Sequence, residues 1–281
     1  VTPTLAIALT AIFTAISCGV LGAFLVLRKM TMVGDAISHA VLPGIAIAYL
    51  FSQSRSSLPM FLGAALVGVF ATVVIEVLSK KWKVQSDASI GMTFTTLFAL
   101  GVVLITYWSD KVDLDQECVL YGEIAFVPFN TWTLGGHSMG PIALWSSGIL
   151  LLLVLIYTFA GYKGLLMSSF NEDYAAVLGI GVGAWNLSLM SMVSVATVIS
   201  FESVGAILVV ALLVAPAATA YLISQKLKPM ILLAALFGLS GSLLGYMMSA
   251  RFDTSIAGGI ATMLGVQFAL ILAITQFSRT S

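Results

Sequence analysis

Residues 30–50 read MTMVGDAISHAVLPGIAIAYL. Apart from Asp35 and His39 the stretch is almost wholly apolar or small, and the run from Met32 to Phe51 has the roughly 20 residues that a helix needs to cross a hydrocarbon core of about 30 Å. Ionisable groups at that depth are costly, and by default they point to function. Asp35 and His39 are four residues apart, so on a helix they share one face, one turn apart. Pro43 lacks an N–H and leaves the carbonyl of His39 without its helical partner, which adds a backbone oxygen and a helix break at the same level. Broken backbone inside a membrane is tolerated where it lines a cavity.

The rest of the chain follows this first segment. Of its 281 residues 60% are hydrophobic and 9% charged, with a mean hydropathy of +1.09; a soluble domain carries about 25% charged residues. Such a chain cannot cover itself with polar surface, so lipid is its solvent. Apolar runs extend over Leu5 to Leu27, Met32 to Phe51, Leu58 to Leu78, Ala88 to Trp108 and Ile142 to Gly161, then Ala184 to Ser200, Val204 to Ile223, Met230 to Ser249 and Ile256 to Phe277. These predict an all-α, polytopic transmembrane helix bundle of nine spans in a single domain, residues 1–281. Eight spans also fit, if Phe201-Glu202-Ser203 lies inside one bent helix or a re-entrant hairpin.

Alternating spans put Arg28, Lys29, Lys80, Lys81, Lys83, Lys163, Lys226, Lys228 and Arg279 on one side, and Arg55, Lys111 and Arg251 on the other. The positive-inside rule makes the first side cytoplasmic, with the C-terminus inside and the N-terminus outside. The first residues read as a helix and not as a signal peptide, because no basic segment precedes the apolar run. Zero net charge leaves no footprint for nucleic acid. Cys18 and Cys118 have no metal-knuckle spacing and read as unpaired.

Two connections are longer than span joining requires. The outer one, Ser109 to Gly140, holds Asp110, Asp113, Asp115, Glu117 and Glu123; Leu114, Val119, Leu120, Ile124 and Phe126 among them suggest a short amphipathic segment, and a solvated acidic loop is the plainer reading. The inner one, YKGLLMSSFNEDYAAVLGIGVG over residues 162–183, reads as a short helix capped by Asn171 with a Gly-rich turn after it, suited to contact with a cytoplasmic protein. Glu202, between two apolar runs, is either a surface acid in a turn or a group at the outer mouth that meets an incoming ion. Glu76 lies one turn before Lys80 and reads as half of an interfacial ion pair without a transport role. His137, in TLGGHSMGP, reads as a solvated loop residue. Pro216 breaks a second span and releases the carbonyl of Leu212, and Gly241 with Gly245 permits close helix approach.

A carboxylate beside an imidazole suits manganese, iron or zinc, and the absence of nearby thiolate argues against cuprous copper. Two ligands are too few for a tight site but suit a passing one, completed by water, by the freed carbonyl or by a second subunit. The bland alternative has Asp35 capping its helix near Arg28 or Lys29, with His39 making one packing hydrogen bond. No lysine follows a glycine, so the chain has no Walker A loop, and HExxH does not occur. Catalysis within this polypeptide is not expected.

MTMVGDAISHAVLPGIAIAYL, together with VGAILVVALLVAPAATAYLI at residues 204–223, resembles the permease subunit of the zinc, manganese and iron group of ABC importers. GDAISHAVLPG and the outer stretch DQECVLYGEIAFVPF, residues 115–129, are more similar to the manganese type than to the zinc type. The resemblance implies a prokaryotic inner-membrane protein that forms a homodimer or heterodimer of permeases. It also implies cytoplasmic ATPase subunits that hydrolyse ATP, an extracytoplasmic metal-binding protein, and transported manganese, zinc or iron in place of any permanently bound cofactor. It maps the family's intramembrane acid and histidine onto Asp35 and His39. It further suggests that Glu172, Asp173, Ala175, Ala176 and Gly179 belong to a cytoplasmic coupling helix that fits a groove in the ATPase, and that transport proceeds by alternating access. The rival readings are a secondary transporter driven by an ion gradient and a membrane scaffold whose buried acid and histidine only join helices.

Overall fold

The computed structural model describes residues 2–52, 57–107, 124–134 and 137–280. The acidic residues from Asp110 to Glu123, together with Cys118, Arg55 and Lys111, lie outside the described residues. Among those described, nine helices are long and apolar enough to cross a membrane. They are α1 (Pro3–Leu27), α2 (Val33–Ser52), α3 (Ser57–Glu76), α4 (Ser86–Tyr107), α5 (Ile142–Ala160), α8 (Val182–Val204), α9 (Ala206–Ile223), α10 (Leu227–Phe252) and α11 (Ile256–Thr280). Between α5 and α8 lie two short helices, α6 (Tyr162–Phe170) and α7 (Glu172–Val177).

Apolar character does not draw helices together in lipid; close backbone approach does. α2 crosses α3 where Gly44 and Gly63 face each other, and a Cβ on either glycine would run into the other's carbonyl oxygen. α1 crosses α9 where Gly22 meets the carbonyl of Leu213, and α10 meets α11 where Gly245 faces the backbone of Ile260. These contacts sort the helices into two sets. α1 packs with α5, α9 and α10, and α11 packs with α9 and α10, while α2 packs with α3 and α4; α8 touches α1, α2, α3 and α5 and so joins the sets. Leu21, Phe24, Ile37, Leu189 and Leu212 fill the centre, whereas Leu66, Phe70, Leu100, Phe159 and Leu270 face outward, as a hydrocarbon solvent allows.

The structure corrects the expected junction between the sixth and seventh spans. Phe201, Glu202 and Ser203 form the last turn of α8, and the break falls at Gly205, whose φ is 84° and ψ 160°. A charge in an apolar run reads as an interruption, yet a helix end can carry a glutamate on its exposed side, as it does here. The backbone reversal instead needs a conformation open essentially to glycine alone. Gly205→Ala is therefore expected to destabilise the protein by about 1–3 kcal/mol, measured as a lower melting temperature in detergent.

The all-α expectation also needs one amendment. Thr131–Leu134 (β1) and His137–Pro141 (β2) form an antiparallel hairpin, so His137 begins a strand and is not a loop residue. Strands of four and five residues are barely long enough to show the alternation that marks a strand in sequence. Before the hairpin a 3-10 helix, Ile124–Phe129, packs against α1, α5 and α8 with Ile124 fully buried and Phe126 exposed. Leu114, Val119 and Leu120, the other apolar residues of the expected amphipathic segment, lie outside the described residues.

At the other end the connections expected on one side do gather. Arg28, Lys29, Lys80 and Ser168 to Phe170 line one cavity, and Lys228 Nζ stands 5.6 Å from the ring centre of Tyr162.

Candidate metal-transit site

Asp35 lies in the first turn of α2 and His39 one turn further on. His39 Nε2 is 3.6 Å from Asp35 Oδ1, and each side chain is 38% exposed. The separation is longer than a hydrogen bond. Two ligands about 2.1 Å from one ion, in tetrahedral or octahedral arrangement, stand about 3.0–3.4 Å apart, so a few tenths of an ångström of closure would let both bind the same cation. Among the described residues no group of three or more histidine, cysteine, aspartate or glutamate side chains could hold a metal, which leaves this pair short of a full ligand set.

The depth of the pair follows from its neighbours. The imidazole of His39 stands 5.6 Å from the ring of Phe94 and 5.9 Å, edge to face, from that of Phe98. These phenylalanines are the ninth and thirteenth residues of the 22-residue α4, so His39 lies beside the middle of a span. One turn beyond, Pro43 is buried against Gly101, where a Cβ would stand 2.9 Å from the proline nitrogen. Only glycine lets α4 approach the proline ring this closely. Behind the pair, the Ser38 hydroxyl donates to the carbonyl of Gly34 at 3.0 Å, and a Cβ on Gly34 would stand 2.6 Å from Leu213 Cδ1. The turn of α9 that precedes the buried Pro216 thus braces the start of α2; Pro216 itself supports packing and does not join the pair. Glu202 sits at the far end of α8 from Asn186, away from Asp35 and His39.

The capping alternative for Asp35 finds no support from Arg28. Its guanidinium turns toward α6 and α8: Nε donates to Ser169 Oγ at 3.0 Å, Nη2 to Ser168 Oγ at 2.8 Å, and Nη1 to Asn186 Oδ1. Burial pulls the guanidinium below its usual range and the Glu172 carboxylate acts against that, so the group stays charged at neutral pH. Asn186 Nδ2 donates to Glu172 Oε1 at 3.0 Å, and Lys80 Nζ lies 3.3 Å from Glu172 and 3.8 Å from Glu76. The expected Glu76–Lys80 pair is therefore present as one edge of a larger network.

The inner connection holds two short helices where one was expected. The Asn171 side chain accepts from Tyr174 N–H at 2.9 Å and caps α7, as its position before Glu172 and Asp173 suggests. α6 escaped notice because only Gly161 separates its short apolar run from α5. Ala175 is buried, whereas Glu172, Asp173, Ala176 and Gly179 are exposed, Gly179 with φ of 76°. Tyr174, Val177 and Leu178 add exposed apolar surface beside them. Phe94, Phe98, Arg28 and Asn186 were not singled out in the sequence. An asparagine near the end of an otherwise apolar helix was the available signal for Asn186, since such a group seeks partners across helices.

A multi-span bundle that holds an acid and an imidazole side by side in the first two turns of α2, the imidazole beside the middle of α4 and both only half covered, has the form of a membrane transport subunit. The model of the ABC 3 transport family matches residues 3–276, and the chain belongs to that family. It is 44% identical over 260 residues to the manganese transport system membrane protein MntD of Bacillus subtilis, covering 92% of this chain and 88% of that one. It is 38% identical over 273 residues to the zinc transport system membrane protein TroD of Treponema pallidum, covering 95% and 73%. Among solved structures it resembles PsaBC from Streptococcus pneumoniae in complex with Fab, with a TM-score of 0.76 and 31% identity, covering 95% of this chain and 90% of that one.

Proposed function

We propose that this chain is the membrane-spanning subunit of an ATP-driven importer of a divalent transition metal, with manganese as its main cargo. The observation that carries the reading is the Asp35–His39 pair in the first two turns of α2, set at nearly the spacing of two ligands to one ion and left half exposed. Carboxylate and imidazole together suit manganese, iron and zinc. The preference for manganese is supported by the name of the 44% identical relative, and a secondary capacity for zinc by that of the 38% identical one.

Asp35 and His39 bind the ion in passing, and the carbonyl released by Pro43, water and a second permease copy complete its shell. The exposure of both side chains in the single chain leaves room for that copy. Residues 1–281 act as one permease domain, which the family match across residues 3–276 supports. The segment α6–α7, with Glu172, Asp173, Ala176 and Gly179 outward and Ala175 as its inward anchor, docks on a cytoplasmic ATPase, where ATP is bound and hydrolysed. An extracytoplasmic binding protein delivers the ion at the opposite end, where the exposed Glu202 is an available first contact. Basic residues gathered at the α6–α7 end favour a cytoplasmic C-terminus in a prokaryotic cell membrane. ATP-driven closure of the ATPases rocks the helices around Asp35 and His39, so that the pair faces each side in turn.

The test is uptake of radiolabelled manganese and zinc by cells lacking the chain, and again after its restoration. Restored uptake, manganese above zinc, that disappears when the ATPase subunit is deleted is the expected result. Uptake that persists without the ATPase and collapses with the ion gradient would establish a secondary transporter instead.

A further inference from the structure

A polar network with no part in the ion site joins five helices around a cavity of about 240 Å³ at the cytoplasmic end. Arg28, where α1 ends, uses all three guanidinium nitrogens to hold Ser168 and Ser169 of α6 and Asn186 of α8. Asn186 passes the connection to Glu172 at the start of α7, and Glu172 meets Lys80 in the π-helical turn that prolongs α3. The two ends of this chain differ in character. The Arg28 contacts are partly buried and planar, with each donor matched to its own acceptor, so α6 is fixed to α1 and α8 as one piece. The Lys80–Glu172 pair is exposed and made by a single flexible ammonium, so it breaks readily. Lys80 also has a second carboxylate within reach, Glu76 on its own helix at 3.8 Å.

We propose that Arg28 and Lys80 are positioning residues that carry the motion of α6–α7 into the helix bundle, Lys80 exchanging Glu172 for Glu76 as that segment shifts. The proposal rests on the reading of α6–α7 as the ATPase-docking segment. The cavity beneath the segment gives it space to move, and the two carboxylates give the ammonium a defined partner at either end of the movement. An element with two discrete charge pairings can be biased from the ATPase side and from the helix side alike. Because Arg28 closes α1 and stands five residues before Val33, where α2 begins, a displacement of α6 reaches the helix that bears Asp35 and His39 through five residues of backbone.

The experiment uses the complete importer in proteoliposomes, with its ATPase and metal-binding protein, and reads manganese moved per ATP hydrolysed. Lys80→Met and Arg28→Lys are each expected to lower that ratio by about fivefold or more while hydrolysis continues. Glu76→Gln, which removes the second partner and leaves the Glu172 pairing in place, is expected to lower the ratio as Lys80→Met does. A residue that merely supports the fold would lower hydrolysis and transport together. An unchanged ratio in Lys80→Met or in Glu76→Gln overturns the proposal. If Arg28→Lys fails to accumulate, the Lys80 series decides the question alone. Cross-linking from Val177→Cys separates the two layers: absence of a cross-link to the ATPase removes the docking reading itself, whereas a cross-link together with an unchanged ratio removes only the role of Arg28 and Lys80.

Discussion

Asp35→Asn and His39→Gln are each expected to reduce manganese uptake by at least about 100-fold, because loss of a residue that only hydrogen-bonds a metal ligand lowers metal affinity by about 10–100-fold and a direct ligand contributes more. Both replacements keep the approximate shape of the side chain. Asn removes the negative charge that offsets the cation's lost hydration, and Gln removes the imidazole nitrogen. Neither should disturb assembly: both side chains are half exposed, and the buried serine beside them satisfies its hydroxyl on the carbonyl of Gly34. The check pairs radiolabelled uptake with co-purification of the ATPase. Wild-type uptake in either variant would take that residue out of the ion's path, and loss of the ATPase from the purified complex would turn the result into one about folding.

Gly44→Val is expected to act differently, by forcing α2 and α3 apart. The new Cβ would collide with the carbonyl oxygen of Gly63, which belongs to helix backbone and cannot rotate away. Overpacking of this kind costs about 1–3 kcal/mol or more. Gly44 also follows Pro43 directly, on the helix that carries Asp35 and His39, so the shift reaches His39 and its fit between Phe94 and Phe98. Both a lower melting temperature in detergent and lost uptake are expected. Gly265→Val in α11 is the control, since a Cβ there meets nothing within 4 Å; equal stability loss in the two variants would deny the α2–α3 crossing its special role.

The spans were legible because membrane-crossing helices follow one strong rule, about 20 apolar residues with backbone hydrogen bonds satisfied internally. For the same reason Asp35 and His39 stood out, as costly groups in a segment without other polar character. Glu202 misled because a single charge in hydropathy looks like a boundary, while the true boundary, Gly205, is set by a backbone angle that hydropathy does not record. The phenylalanines around His39 were hidden for the opposite reason: in a chain with 16 phenylalanines, two more on a span carry no distinguishing mark until packing brings them to the imidazole. Arg28 and Asn186 come from segments 158 residues apart, and nothing local in either announces the other.

The linkage through Gly205 has a mechanical corollary. α8 leans on α2 and α3, α9 leans on α1, α10 and α11, and a single residue tethers one to the other. Their adjoining ends are thus held within two peptide steps, each about 3.8 Å. Arg28 ties α1 to α8 at the opposite end as well, so α8 is pinned to the other block at both of its ends and relative movement of the two is a rotation about its length.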